Sequence, residues 1–194
     1  MIAGLILAAG ESSRMGRDKA LLTFRGQTFL ECIVAKLRGA GLERVAVVLG
    51  HHVEEIQRAV KLEGVEIVVN GDYQRGQTSS LQIGLRALEG EDTEAVILCL
   101  VDHPAFSSVT VRGFIEAYGR DHPPAIIPTF QDRRGHPVLI GRKLFAETLA
   151  LPPSQGANSV IRHYHDSTVF LEVDDPGILL NVDDPETYRG IQST

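Results

Sequence analysis

The chain has 194 residues, of which 43% are hydrophobic and 23% are charged, a composition that argues against a disordered or fibrous protein. Its formal net charge of −6 would repel a polyanion, so nucleic acid is not an expected partner. No apolar run reaches the roughly 18 residues that cross a bilayer, and the two cysteines form no Cys-x-x-Cys pair. We therefore expect no membrane partner and a reducing, cytoplasmic location.

Short β-branched apolar runs alternate with longer amphipathic stretches up to about residue 128. The apolar runs predict strands at residues 2–8, 45–50, 65–69, 95–101 and 125–128. Apolar spacing near 3.6 residues predicts helices at residues 29–39, 53–62, 80–88 and 109–118. This alternation is typical of βα units, and it predicts an α/β fold in which a mostly parallel sheet lies between two layers of helices.

The rhythm changes after residue 128. A further strand is expected at residues 137–140, and helices are expected at 143–149 and 158–164. Two more apolar runs, interpreted as strands, follow at 168–173 and 178–182, and a short helix begins at Pro185. The only segment that resembles a linker is Pro152-Pro153, which is too short to isolate a second core. We therefore predict a single three-layer α/β/α domain over residues 1–194.

The segment after the first predicted strand combines glycines with basic residues. A loop in this position lies at the carboxyl edge of a parallel sheet, where such sheets bind ligands. Gly10 and Gly16 allow backbone N–H groups to approach a phosphate closely, while Arg14 and Lys19 add a forked donor and a mobile charge. The segment therefore predicts a site for a nucleotide triphosphate.

Two well-known phosphate loops do not fit this segment. Five residues separate Gly10 from Gly16, and Lys19 does not follow Gly16 directly, so the P-loop pattern is not met. No Gly-x-Gly-x-x-Gly occurs there, which disfavours a dinucleotide-dependent dehydrogenase. The structural alternative is an ordinary surface turn.

The opening motif of the molybdenum cofactor nucleotidyltransferases is similar to the run from Leu7 to Gly16 and to Lys19-Ala20-Leu21-Leu22 after it. The resemblance recurs at four further places along the chain. It implies a Rossmann-like fold of the nucleotide-diphospho-sugar transferase type, and it implies transfer of a nucleotidyl group to a phosphorylated acceptor with release of pyrophosphate. The nucleotide-binding residues implied in the first motif are Leu7, Ala8, Ala9, Gly10, Ser12, Ser13, Arg14, Gly16 and Lys19.

Carboxylates for a metal ion come from two places. Asp102 follows the predicted strand 95–101, so it stands at the same edge as the glycine-rich loop, where a carboxylate can hold Mg²⁺. A helix-capping role is the alternative. By resemblance, Asp102-His103-Pro104 matches the family's Asp-x-Pro, and Asp183 matches its second metal carboxylate. The implied metal ligands are thus Asp102 and Asp183, and the implied catalytic residues are Lys19, Arg14 and Asp102.

The stretch Gly76-Gln77-Thr78-Ser79-Ser80-Leu81 resembles the Gly-x-Ser-Ser-Ser-Leu motif of the cytidylyl branch of the family. That motif lies beside the nucleotide base, which adds Ser79 and Ser80 to the expected nucleotide-binding residues. Capping of the following helix by Thr78 or Ser80 is the structural alternative.

The stretch Arg134-Gly135-His136-Pro137-Val138 resembles a motif of the same branch that lines the acceptor side. The expected substrate-binding residues are His103, Pro104, Gly135 and His136. Since the ordinary pKa of histidine is near neutrality, the sequence leaves the charge of His136 open. The family's Gly-Asp-x-Gly-Ala segment lacks its Asp at Gln155-Gly156-Ala157, so other acceptors stay open.

Two histidine pairs, His51-His52 and His163-x-His165, have no Cys, Glu or third His at a suitable spacing for a metal site. We interpret them as solvated loop or helix-end residues.

Ala9 before Gly10 favours CTP, because the guanylyl branch tends to have Leu-Ala-Gly-Gly there, whereas Asp18-Lys19-Ala20-Leu21-Leu22 is closer to that branch. The expected function is a Mg²⁺-dependent nucleotidyltransferase that uses CTP and molybdopterin, with GTP and sugar or polyol phosphates as alternatives. Other hypotheses are a non-catalytic accessory that hands a nucleotide-bearing cofactor to a molybdoenzyme, and a dehydrogenase on a similar fold.

Overall fold

The computed structural model describes residues 1–12 and 15–192. Ser13 and Arg14, two of the predicted nucleotide-binding residues, lie outside the described residues. Residues 193 and 194 also lie outside them. Arg14 is also one of the predicted catalytic residues.

Ten strands occur in the described part of the chain, and eight of them form one sheet. They are β1 (Ile2–Ala8), β2 (Thr23–Phe24), β3 (Gln27–Thr28), β4 (Val45–Leu49), β5 (Glu66–Val69), β6 (Ala95–Leu100), β7 (Ala125–Phe130), β8 (Arg133–Arg134), β9 (Val138–Gly141) and β10 (Val169–Glu172). The α-helices are α1 (Phe29–Gly39), α2 (Val53–Ala59), α3 (Gln77–Leu88), α4 (Ser108–Asp121), α5 (Phe145–Leu149), α6 (Ala157–His163) and α7 (Pro185–Gln192). Short 3₁₀ turns lie at Lys19–Leu21, Tyr73–Arg75, Arg142–Leu144, His165–Ser167 and Pro176–Leu179.

The large sheet has the strand order β10-β7-β9-β6-β1-β4-β5, with β8 paired to β7. Strand β1 pairs in parallel with both β4 and β6, and β5 and β10 also pair in parallel with their neighbours. Strand β9 is antiparallel to β6 and β7. The sheet is thus mostly parallel, and the carboxyl ends of β4, β1 and β6 lie side by side at one edge.

Both faces of the sheet are covered, because alternate residues of the central strands pack in opposite directions. Ile6 and Ala8 join a cluster with apolar residues of α1 and α4, whereas Leu5 and Leu7 join a second cluster with α3, α5 and α6. The predicted three-layer α/β/α architecture is confirmed, since each layer of helices closes one face of the buried sheet.

The tail differs from its prediction in one element. Residues 178–182 do not form a strand: a 3₁₀ turn occupies Pro176–Leu179, and extended chain follows it. The Asp175 carboxylate accepts a hydrogen bond from the Gly177 N–H at 3.1 Å, with Pro176 at the first position of the turn. Side-chain capping and a pre-set proline φ outweigh the apolar pattern of this run.

A small hairpin, β2–β3, has no counterpart among the predicted elements. Its two-residue loop places Arg25 at φ 51° and Gly26 at φ 82°, as a type I′ turn requires. The usual sequence signal for such a turn is Asn-Gly or Asp-Gly, and Arg-Gly does not give it.

The described residues contain no helix that is both long and apolar enough to cross a membrane.

Close packing of α3 on the sheet gives a test of the fold. A Cβ added at Gly84 would lie 2.5 Å from Leu5 Cδ1 and 2.8 Å from Val48 Cγ2. We expect Gly84→Ala to lower the free energy of unfolding by about 1–3 kcal/mol through overpacking. Gly119 in α4 has open space, so Gly119→Ala is the matched control and should raise the free energy of unfolding by about 0.4–1 kcal/mol. Urea unfolding measures the free energy of unfolding of both variants. Equal changes in the two variants would contradict the close packing of α3 on the sheet.

Candidate active site

A cavity of about 310 Å³ opens at the carboxyl edge of β1 and β6. The loop after β1, the start of α3, the end of β6 and Asp183 form its walls. Seven of the predicted nucleotide-binding residues line it: Leu7, Ala8, Ala9, Gly10, Ser12, Lys19 and Ser80. The glycine-rich segment and the serine motif, about 60 residues apart in the sequence, therefore face the same space.

The glycine-rich loop is closed by its own hydrogen bonds. The Ser12 hydroxyl accepts from the Lys19 backbone N–H at 3.0 Å, and the Ser12 carbonyl accepts from the Met15 N–H at 2.9 Å. Ser12 and Gly16 adopt positive φ values of 51° and 64°. Because Ser12 secures the end of the loop, Lys19 is held at a defined position over the cavity.

Lys19 lies between two carboxylates in this cavity. Its Nζ is 3.1 Å from Asp102 Oδ2 and 2.5 Å from Asp183 Oδ1. The Val182 N–H donates to the Asp102 carbonyl at 2.9 Å, which brings the two acidic segments together across 81 residues of sequence. A cation and two carboxylates thus converge where the glycine-rich loop ends.

The carboxylate pair is suited to a hard metal ion. Asp102 Oδ1 is buried and has no hydrogen-bond partner among the described residues, and such an oxygen is costly unless a cation or donor satisfies it. Asn181 Nδ2 donates to Asp183 Oδ2 at 2.8 Å, so Asn181 orients this carboxylate. The helix-cap alternative for Asp102 is wrong, because the N-cap of α4 is Ser107. Asp184 caps α7, where its Oδ1 accepts hydrogen bonds from the Glu186 and Thr187 N–H groups at 2.9 Å.

The serine motif begins α3 three residues before its predicted start. The N-cap is Gly76, so neither Thr78 nor Ser80 caps the helix, and the Thr78 hydroxyl donates to the Gln155 carbonyl at 2.5 Å. Asn70 Nδ2 donates to both Ser79 Oγ and Ser80 Oγ at 3.0 Å. The buried Asn70 amide therefore fixes the two hydroxyls beside the cavity.

A buried histidine, His103, and a half-buried one, His136, lie next to Asp102. The rings of His103 and His136 are 4.8 Å apart, and His103 Nε2 is 3.9 Å from Asp102 Oδ1. Burial lowers the pKa of His103, and burial together with the His103 ring lowers the pKa of His136 to about 4. His136 is therefore neutral at pH 7, which answers the question that the sequence left open.

The remaining predicted substrate residues occupy different surroundings. Gly135 and His136 line a second cavity of about 280 Å³, together with Arg134, Arg162 and other residues. A Cβ at Gly135 would lie 2.4 Å from the Ile178 carbonyl oxygen, so the glycine is needed for this close approach. Pro104 is buried, and its carbonyl accepts a hydrogen bond from Lys36 on the α1 side of the sheet.

Several residues that line or support the cavity were not among the predicted site residues. Met15, Asp18, Tyr73, Gly76 and Gln77 line it, and Asn70 supports it. Gly76 and Gln77 belong to the quoted serine motif, so extending that motif would have found them. Asp18 caps the 3₁₀ turn that contains Lys19, and only the tertiary structure places its side chain beside the cavity. Burial raises the pKa of its carboxyl group.

The mostly parallel sheet between two layers of helices is a fold of the nucleotide-diphospho-sugar transferase type. Residues 4–168 match the family described as MobA-like NTP transferase domain, and the chain belongs to this family. The resemblance drawn from the sequence is therefore confirmed, and the family is one of nucleotidyltransferases.

Relatives in this family carry different names. Nicotine blue oxidoreductase of Paenarthrobacter nicotinovorans is 33% identical over 150 residues, which cover 72% of this chain and 70% of that protein. The molybdenum cofactor cytidylyltransferase of Escherichia coli K12 is 24% identical over 188 residues, which cover 95% of this chain and 92% of that protein.

Solved structures extend the comparison. The crystal structure of Rv0371c from Mycobacterium tuberculosis H37Rv has a TM-score of 0.86 and 30% identity, covering 100% of this chain and 97% of that one. A crystal structure of the same mycobacterial protein in complex with manganese has a TM-score of 0.81 and 28% identity. The match covers 100% of this chain and 98% of that chain. In this chain, Asp18, His51 and His52 form a group of potential metal ligands.

The neutral state of His136 predicts a pH dependence of stability. The unfolded chain takes up a proton near pH 6.5 that the folded chain does not accept until about pH 4. The free energy of unfolding should therefore fall as the pH decreases from 6.5 to 4, by at most about 3 kcal/mol from this residue.

Urea unfolding of the wild type and of His136→Gln at pH 7.5 and pH 5 measures this loss. We expect a smaller loss between the two pH values in the variant, whereas His122→Gln, which removes an exposed histidine, should keep the wild-type loss. Equal losses in all three proteins would contradict a neutral His136.

Proposed function

We propose that the chain transfers a nucleotidyl group, with CMP favoured, from a nucleoside triphosphate to a phosphorylated acceptor, with molybdopterin favoured, and releases pyrophosphate. The observation that carries this proposal is the position of Lys19 between Asp102 and Asp183, on the loop that lines the cavity at the carboxyl edge of β1 and β6. This arrangement provides both signs of charge at one point, which transfer at a triphosphate requires.

In the proposed reaction an oxygen of the acceptor phosphate attacks the α-phosphorus of the triphosphate. The bond from the α-phosphorus to the bridging oxygen breaks, and pyrophosphate leaves with the electron pair. No protein nucleophile is needed, so the residues act through position and charge. Lys19, and Arg14 by its place in the motif, neutralise the triphosphate, while the backbone N–H groups after β1 cradle it.

Asp102 and Asp183 are the residues that would hold Mg²⁺. The unpartnered Asp102 Oδ1 and the Asp183 carboxylate, oriented by Asn181, supply the oxygen ligands that this ion prefers. Held by these two carboxylates, Mg²⁺ would supply positive charge to offset the charge that develops at the reacting phosphate. Lys19, which contacts both carboxylates, is then available to bind the triphosphate.

The second cavity is the proposed acceptor side. It is lined by Gly135 and His136 and by two arginines, Arg134 and Arg162, whose positive charge suits an anionic phosphate. The Arg134 guanidinium stacks 4.5 Å from the Phe170 ring centre, which holds it at the cavity wall. Since His136 touches His103, and His103 follows Asp102, the two cavities are adjacent.

Oxidation–reduction is a second candidate, because the 33% identical relative is named nicotine blue oxidoreductase. The non-catalytic accessory for a molybdoenzyme is the third hypothesis. The convergence of Lys19 with two carboxylates favours transfer over both, since neither alternative requires this charge arrangement.

Ligand-dependent melting temperature tests the proposed substrate. We expect CTP with Mg²⁺ to raise the melting temperature more than GTP, ATP or UTP, because Ala9 before Gly10 follows the cytidylyl pattern. Pyrophosphate release with molybdopterin should follow the same order. A shift with NAD(P)H and none with any triphosphate would favour the oxidoreductase, and binding without turnover would favour the accessory.

Variants of the charged triad test the mechanism. Lys19→Ala should lower kcat about 10²–10³-fold, as the loss of one donor to developing charge does. Asp102→Asn keeps the shape of the side chain and should reduce turnover at least as much, since a metal carboxylate is removed.

Lys61→Ala and Asp132→Asn change exposed charges of the same types and are the matched controls, with activity near that of the wild type. Steady-state pyrophosphate release separates the outcomes. A change in KM alone for Lys19→Ala would make the lysine a ground-state binder, and normal activity of Asp102→Asn would refute the metal assignment.

A further inference from the structure

A second group of potential metal ligands lies outside the carboxylate pair. Asp18, at the end of the glycine-rich loop, and His51-His52, in the turn between β4 and α2, bring a carboxylate oxygen and two ring nitrogens within 4.8 Å of one another. The sequence offered no third ligand near the two histidines, because Asp18 is 33 residues away from His51.

The Asp18 carboxylate is buried, and one of its oxygens lacks a hydrogen-bond partner among the described residues. Its side chain is 2% exposed, and its Oδ1 accepts from the Ala20 N–H at 2.9 Å. Its Oδ2 is buried without a hydrogen-bond partner in the described part of the chain, and it points toward His52, whose Nδ1 is 3.7 Å away. A buried carboxylate oxygen in this state is costly unless a cation reaches it.

The two imidazoles have the spacing of joint ligands. Nδ1 of His51 and Nδ1 of His52 are 3.1 Å apart. With metal–nitrogen bonds of about 2.1 Å, neighbouring ligand atoms lie roughly 3–3.5 Å apart. His52 adopts a left-handed φ of 52°, which turns its ring toward His51 although the residues are consecutive. The His52 side chain is 43% exposed, so an ion can enter from solvent.

Nitrogen ligands distinguish this site from the Asp102–Asp183 pair. Two imidazoles and one carboxylate suit a divalent first-row transition ion, whereas Mg²⁺ prefers oxygen ligands alone. The proposed catalytic pair offers only carboxylate oxygens. The two sites should therefore select different ions.

We propose that Asp18, His51 and His52 bind a divalent transition-metal ion of the zinc or cobalt type, which joins the two ends of the glycine-rich loop. The His51 N–H donates to the Ala9 carbonyl at 3.3 Å, so the histidine turn already holds the start of the loop. An ion bound by both histidines and by Asp18 also holds the other end of the loop, directly before Lys19. This inference does not rest on the proposed nucleotidyl transfer.

Cobalt binding to the full chain tests the site. The protein is stripped with a chelator, dialysed at pH 7.5 so that the imidazoles are neutral, and titrated with Co²⁺ while visible absorption is recorded. We expect one Co²⁺ per chain, an absorption band from nitrogen and oxygen ligands, and a higher melting temperature. Zn²⁺ should displace the Co²⁺ and abolish the band.

Variants decide where the ion binds. His51→Ala and His52→Ala should lose the band, as should Asp18→Asn, whose amide oxygen can still cap the 3₁₀ turn. Asp102→Asn with Asp183→Asn should keep it, and so should the matched control His163→Ala with His165→Ala, which removes the other histidine pair.

Three results would overturn the proposal: no Co²⁺ band in the wild type, a band that survives in His52→Ala, or a band lost only when Asp102 and Asp183 are changed. Circular dichroism of each variant confirms that it is folded, and His52→Ala, at an exposed position, remains informative even where Asp18→Asn is unstable.

Discussion

The parallel pairing of β1 with both β4 and β6 is the constraint on which the site depends. Parallel strands direct their carboxyl ends to the same edge, so the glycine-rich loop, the His51-His52 turn and Asp102 leave the sheet side by side. The central strand β1 is buried on both faces, and the sheet therefore requires helices on both sides. Gly50 is required at the same edge, because a Cβ there would lie 2.7 Å from the Ala9 carbonyl oxygen.

Charge is distributed unevenly around this edge. Lys19 compensates Asp102 and Asp183, all of which are partly accessible, so these contacts can be exchanged for contacts with phosphate and metal. The neighbouring His103 and His136 are neutral because burial disfavours the imidazolium form. Two neutral imidazoles therefore lie next to the Asp102 carboxylate, and Arg134 and Arg162 line the second cavity beside His136.

The two proposed cation sites differ in the chemistry of their ligands and share the glycine-rich loop. Asp18 and Lys19 are consecutive, yet one faces two imidazoles and the other faces two carboxylates. Ser12 closes the loop between them through the Lys19 N–H. A substitution or a bound ion at one end of the loop is therefore expected to shift the residues at the other end, because the loop is short and its ends are joined by hydrogen bonds.

Local patterns in the sequence determined the secondary structure of the sheet, the position of the glycine-rich loop after β1 and the placement of Asp102 at a strand end. Apolar period and glycine spacing depend only on neighbouring residues, so they are readable without a structure. Even so, a local capping interaction at Asp175 outweighed the apolar run 178–182, and the Arg-Gly turn of β2–β3 carried no usual signal.

Only the tertiary structure decided which distant residues meet. The approach of Asp18 to His52 joins segments from different connections of the sheet. The pairing of Asp183 with Asp102 was implied by the family resemblance, and no local pattern of the sequence indicated it. The position of β9, which is antiparallel and lies between β6 and β7, was likewise decided only by the tertiary structure. Pairings of this sort depend on strand order and on burial, and these are properties of the whole packed chain that no local window of sequence contains.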